Sequence, residues 1–195
     1  MFEYVTEFES QIAEFFGSPY AVATDCCTHA IELCLRYTGH NNINIPTRTY
    51  ASIPMTCMKL GLDWTWREEE WSDYYYIGNS TIIDAAVLWG EGTYLSNTFM
   101  CLSFQFKKHL NLGRGGMILL EDRDDRDALK KMSYDGRDLS RPWAEQDITS
   151  IGYHYYMTPE VAKTGIELLK SRKKSPAKKW TARDYPDLSQ MSVFK

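Results

Sequence analysis

Apolar residues recur at helical spacing near the start of the chain. Phe8, Ile12, Phe15 and Phe16 share one face, and Gly17 supplies a stop. Tyr20 to Thr24 is a short β-rich run. The helical period returns over residues 28–38, with Ala30, Ile31, Cys34 and Leu35 on one face and Gly39 just beyond. Ile43 to Ile45 predicts a strand closed by Pro46, and Ala51 to Leu60 a helix closed by Gly61. Three more strand candidates follow: Thr81 to Ile83, Phe99 to Ser103, and Met117 to Leu120. The last two flank a polar, glycine-bearing loop, QFKKHLNLGRGG. Asp124 to Met132 predicts an exposed, charge-rich helix, and Thr158-Pro159-Glu160 opens another that runs to about Lys170. Alternating β and α elements predict an α/β fold with a largely parallel sheet. The polar and basic remainder predicts an extended arm. The chain thus divides into an α/β domain over residues 1–172 and an arm over 173–195.

Composition narrows the setting. The 195 residues are 44% hydrophobic, enough for a real core, and the net charge of -4 gives no strong pull toward nucleic acid or anionic membrane. No stretch approaches the roughly 20 apolar residues that span a bilayer. The opening MFEYVTEFESQ lacks the basic and then apolar run of a signal peptide. A soluble, cytoplasmic protein is expected, with neither membrane nor nucleic acid as partner. The five cysteines show no CxxC spacing and suit reduced, packed thiols. The four histidines show no mutual spacing of a metal site, so no metal is expected. Thirteen Tyr and six Trp suit an aromatic-lined cleft or a subunit interface, without choosing between them.

Candidate chemistry sits at strand ends, where ligands gather in open α/β sheets. Asp84 follows the apolar pair Ile82-Ile83, and its small neighbours Ala85 and Ala86 let a flat ring approach. Ser103 ends another strand, and Lys108 follows in the loop closed by Gly113, Gly115 and Gly116. Taken singly, a strand-end aspartate is usually solvated or a helix cap, and a loop lysine is usually solvated. Together they match what pyridoxal 5'-phosphate (PLP) chemistry asks for: a lysine for a Schiff base, a carboxylate for the pyridine nitrogen, and a phosphate cup. The helix start after Thr24 to Thr28 offers N–H groups and the Thr28 hydroxyl for that phosphate. Tyr50 is placed to lie on the ring face.

These segments resemble the DegT/DnrJ/StrS family of PLP-dependent sugar aminotransferases. FESQIAEFFGSPYAVATDCCTHAIELCLRYTG is similar to the family's opening helix, strand and phosphate-binding turn. IPTRTYASIPMTCMKLG is similar to the segment whose aromatic residue stacks on the cofactor, which falls on Tyr50. IIDAAVLWG resembles the strand carrying the pyridine partner, Asp84, and LSFQFKKHLNLGRGG the serine, lysine and glycine signature. Spacing from Ser103 and Gly113 to Gly116 selects Lys108 over Lys107 as the Schiff-base lysine. The resemblance covers most of residues 5–172. It implies an aspartate-aminotransferase-like (fold type I) large domain. It also implies a homodimer or higher homo-oligomer, and transfer of an amino group from an amino-acid donor to a keto sugar nucleotide. The family's deoxysugar dehydratases carry histidine in place of the lysine, so the retained Lys108 favours transamination.

Departures accompany the likeness. The family's Ser-Gly-Thr phosphate turn is Cys26-Cys27-Thr28 here, and the glutamine after Asp-Ala-Ala is Val87. His154 and Tyr156 stand where family members carry asparagine and arginine directed at a neighbouring subunit; His154 can still donate to a phosphate there. Family members are also much longer, so a central strand-helix stretch and the C-terminal small domain are expected to be missing or reduced. The short link from Gly61 to Asp84 instead carries Trp64, Trp66, Trp71 and Tyr74 to Tyr76. This cluster either closes the gap or lines the substrate side. The alternative to an aminotransferase is a PLP-binding or regulatory relic without turnover.

Overall fold

In the computed structural model, which describes residues 2–195, helix α1 (Glu3–Phe16) leads into strand β1 (Tyr20–Thr24) and helix α2 (Cys27–Thr38). Strand β2 (Asn42–Pro46), helix α3 (Ser52–Leu60) and strand β3 (Asp63–Arg67) follow. Then come the strands β4 (Tyr75–Tyr76), β5 (Ile82–Asp84), β6 (Phe99–Ser103) and β7 (Gly116–Leu120). Helices α4 (Arg123–Ser133) and α5 (Pro159–Arg172) complete the framework. Gly17, Gly39 and Gly61 each end a helix in the left-handed conformation that a side chain would resist. Asp122 caps α4 by accepting from the N–H groups of Asp124 and Asp125. No helix among the described residues is long and apolar enough to cross a membrane.

Five strands form one sheet in the order β1-β7-β6-β5-β4. Its two faces are both buried, and the strands divide their side chains between them residue by residue. Ala21, Ala23, Ile83, Met100, Leu102, Met117 and Leu119 pack under α1 and α5. Val22, Ile82, Cys101, Ile118 and Leu120 pack under α2 and α4. A sheet covered on both sides needs such near-continuous apolar strands, and GMILL in β7 is wholly buried.

The expectation of a largely parallel sheet is corrected: the sheet is mixed. β5 and β6 run parallel, but β1–β7, β6–β7 and β4–β5 are antiparallel. The cause is the connection. A loop, not a crossover helix, joins β6 to β7, and only antiparallel strands accept so direct a return. β2 and β3 pair in parallel as a separate two-stranded sheet. The end of β4 and the turn after it bridge the two sheets: Gly78 N donates to the Asn44 carbonyl at 2.8 Å, and Arg67 Nη2 to the Tyr76 carbonyl at 2.9 Å.

Where composition suggests an extended arm, residues 180–194 instead pack along the loop after β2 and the segment before β4. Ala182 N donates to the Trp71 carbonyl (3.0 Å), Asp73 N to the Trp180 carbonyl (2.8 Å), and Leu188 N to the Thr47 carbonyl (2.8 Å). Ala182 and Leu188 are buried. Burying those two apolar side chains and making these backbone bonds outweighs the polar composition of the segment.

Candidate active site

The carboxyl ends of β5 and β6, the loop between β6 and β7, and the starts of α2 and α3 converge on a cavity of about 440 Å³. Six residues singled out in the sequence line it together: Cys27, Thr28, Tyr50, Asp84, Ser103 and Lys108. They come from five separate stretches of chain. The seventh, His154, lies elsewhere, exposed, with Nδ1 3.0 Å from the Asp135 carboxylate and its ring against Tyr156.

Asp84 closes β5 with its side chain only 6% exposed. Its antiparallel partner in register is Tyr75, so the two side chains share one face of the sheet. The Tyr75 hydroxyl donates to Asp84 Oδ2 at 2.5 Å, and the Ala86 N–H donates to Oδ1 at 3.0 Å. The Thr49 hydroxyl bonds the Tyr75 hydroxyl in turn. Burial pushes the Asp84 carboxyl above its usual range, opposed by the Tyr75 and Ala86 donors and by the Lys108 charge. Lys108 shifts the other way: burial lowers it, against the pull of Asp84 and Cys27. Burial thus favours the neutral form of both groups, and the opposite charge of each favours the charged form of the other.

The loop presents Lys108 by a turn in which the Lys108 N–H donates to the Gln105 carbonyl at 2.8 Å, and buried Leu110 anchors it. Lys107, one residue earlier, is exposed and lies over the Phe106 ring. Gly116, opposite Ser103 in the β6–β7 register, lets the start of α2 lie directly on β7. A Cβ there would stand 2.4 Å from the Cys26 carbonyl carbon and 2.5 Å from the Cys27 nitrogen.

Thr28 and Ser52 stand in the first turns of α2 and α3, with their hydroxyl oxygens 2.8 Å apart. Two helix N-termini meeting at one wall favour an anion. The Cys27 thiol is buried and 3.6 Å from the Cys101 carbonyl, and burial raises its pKa well above normal. Its offering to the cavity is therefore its backbone. At the rim, Asp25 bridges His29 (2.6 Å) and Arg114 (2.6 Å). Burial works to lower the His29 pKa, but the bonds to Asp25 and Cys26 raise it on balance to about 9. His29 stacks on Tyr155 with ring centres 3.6 Å apart.

Ser52, Tyr185, His29 and Arg114 also line the cavity without having been singled out in the sequence, and Trp71 and Tyr75 join them from the aromatic link, for which the sequence left gap closure and substrate lining as alternatives. Tyr185 comes from the C-terminal segment and packs on Trp71, which packs on Tyr75. The aromatic link therefore closes the gap between the sheets and also lines the cavity. The departure at Val87 stands as expected: an apolar side chain lines the wall there.

A sequence profile of the DegT/DnrJ/EryC1/StrS aminotransferase family matches residues 1–65 and 91–185. The unmatched stretch between them is the aromatic link with β4 and β5. No curated protein matches the chain in sequence. Among solved structures, AtS13 from Actinomadura melliaura superposes with a TM-score of 0.77 at 20% identity, covering 88% of this chain and 60% of that one. The sugar aminotransferase CalS13 from Micromonospora echinospora gives 0.73 at 15%, covering 88% and 61%. DesI, solved in the presence of its TDP-sugar product, gives 0.69 at 18%, covering 87% and 53%. At these identities the likeness shows the fold, that of the fold type I sugar aminotransferases, and the chain spans about 60% of the length of the first two. On the extent of the profile match, the chain belongs to the DegT/DnrJ/EryC1/StrS aminotransferase family.

Proposed function

We propose that the protein is an aminotransferase that uses Lys108 to anchor PLP and passes an amino group from an amino-acid donor to a keto sugar carried on a nucleotide. The family is PLP-dependent. The observation that carries the reading is a buried carboxylate, Asp84, and a half-buried amine, Lys108, at one cavity whose far wall is two helix N-termini.

The residues present fit the cofactor. Asp84 keeps acceptor capacity beyond the Tyr75 and Ala86 bonds, since a carboxylate offers about four lone-pair sites. It would hold the ring nitrogen protonated. Thr28 and the N–H groups that open α2, Cys27 among them, would hold the phosphate, with Ser103 beside them. Tyr50 would cover a ring face. Bound there, PLP supplies an electron sink for the carbon that carries the amino group. Burial lowers the Lys108 pKa, which favours the neutral amine that attacks a carbonyl and takes and returns a proton. Tyr75 and Thr49 fix the Asp84 carboxylate in place, and Trp71 and Tyr185 pack in line behind Tyr75 in the same cavity wall. The functional unit would be a homodimer, with His154 reaching the phosphate of a second copy.

Val87 in place of a polar contact, and Tyr156 in place of an arginine, favour a second reading: a PLP-binding protein without turnover. A half-reaction separates the two. With PLP and L-glutamate, an aminotransferase loses its long-wavelength cofactor absorbance and releases 2-oxoglutarate, and Lys108→Ala does neither. A stable band that the donor leaves untouched contradicts transamination and supports the second reading.

A further inference from the structure

Glu32 stands in the second turn of α2, buried, and lines no part of the cavity. Four donors from three side chains meet its carboxylate. Arg36 gives Nε (2.9 Å) and Nη2 (2.8 Å) to Oε1, Lys59 gives Nζ to Oε2 (2.9 Å), and the Tyr155 hydroxyl gives to Oε1 (3.3 Å). Lys59 Nζ also donates to the Tyr155 hydroxyl at 3.1 Å. Burial pushes the Glu32 carboxyl upward, and the Lys59 and Arg36 bonds hold it on balance below its usual range.

These partners tie three elements together. Arg36 shares α2 with Glu32, Lys59 stands in the last turn of α3, and Tyr155 belongs to the segment before α5. At the cavity, Thr28 and Ser52 join the first turns of the same two helices. The contacts thus run in the same order along both, so α2 and α3 lie side by side with both N-termini at one wall. Tyr155 adds a third tie: its carbonyl accepts from the Asp25 N–H at 2.7 Å and its ring stacks on His29, which clamps the turn that opens α2. An apolar pair would hold two helices together as firmly, but in several alignments. A buried carboxylate tolerates only the alignment that meets its donors.

We propose that Glu32 is a positioning residue for the anion wall: it sets the start of α3 against the start of α2, so that Thr28 and Ser52 face one phosphate group together. That this phosphate is the cofactor's rests on the PLP reading; the alignment of the two helix starts does not.

The test compares PLP with pyridoxal, which lacks the phosphate, in wild type, Glu32→Gln, Lys59→Met and the double variant, by spectroscopic titration beside thermal melts. Each single variant should lose about tenfold in PLP affinity, the size of one hydrogen bond to a charged group, and keep its pyridoxal affinity. The double variant should lose little more than either, because both substitutions break the same pin. A merely structural Glu32 would lower the melting temperature and weaken PLP and pyridoxal alike, or weaken neither. Either result overturns the proposal, as do losses that multiply in the double variant. If Glu32→Gln fails to fold, Lys59→Met, whose side chain is half exposed, carries the comparison. Inorganic phosphate separates the proposal from the cofactor reading: it should raise the melting temperature of wild type more than that of either variant. If wild type binds no PLP, the cofactor reading fails and the phosphate shift decides. A smaller shift in the variants then supports positioning by Glu32, and equal shifts overturn it.

Discussion

Asp84 is the residue on which the site turns, and Tyr75 governs it. Burial holds its folded pKa above the ordinary value of 3.8. Between those two values the folded chain keeps a proton that the unfolded chain has released. Stability therefore falls as pH rises across that window and levels off above it. The Tyr75 hydroxyl opposes the shift by donating to the charged form. Tyr75→Phe should therefore extend the window to higher pH and destabilise the cofactor-free protein at neutral pH by roughly 1–3 kcal/mol. Asp84→Asn should abolish the pH dependence that Tyr75→Phe enlarges. Urea unfolding between pH 4 and 8 reads both, and a Tyr75→Phe profile parallel to wild type would count against the link. Asp84, Lys108, Ser103, Thr28 and Tyr50 were legible in the sequence because each lies in a stretch with its own local pattern. Tyr75 was not. Its role depends on a strand of two residues that exists only by pairing with β5, and one tyrosine among three carries no local signal of that.

Among the elements, the start of α2 against β7 sets the wall at which the proposed cofactor phosphate would sit. The two approach so closely that only glycine fits at position 116. Gly116→Ala should push the Cys26–Thr28 turn off the sheet, at about 1–3 kcal/mol of stability, and weaken PLP retention together with it. Thermal melts and cofactor dialysis measure the pair; a variant that keeps both would show that the turn has room the geometry denies. Helices α2, α3 and α5 and strands β6 and β7 followed from apolar period and glycine stops to within about two residues. β3 did not, although Asp63-Trp64-Thr65-Trp66-Arg67 alternates strictly, the pattern of a half-buried strand. The tryptophans drew attention to themselves as a cluster and hid the alternation. Strand direction is not legible for a different reason: apolar runs announce burial on both faces, not which way the chain returns.

At the scale of the whole molecule, the chain spans about 60% of the length of the first structures it resembles, and two of its own segments pack together beside the cavity. The aromatic link bridges the two sheets, and residues 180–194 lay Tyr185 over Trp71 beside the cavity. The sequence could not show this, because the bonds that fix the C-terminal segment span more than a hundred residues. Tyr185→Ala should loosen that wall and lower PLP affinity while the sheet core stays intact, which dialysis and circular dichroism would read together; unchanged retention would make the wall incidental to the site. Light scattering of the loaded protein should report at least a dimer, and a monomer that holds PLP stoichiometrically would refute a shared site built with His154. The central claim is narrower: Lys108 is the covalent anchor. Borohydride reduction of the PLP-treated protein, followed by peptide mass mapping, should place the pyridoxyl adduct on Lys108, and Lys108→Ala should carry none. An adduct on Lys107, or one that persists in Lys108→Ala, would contradict the account.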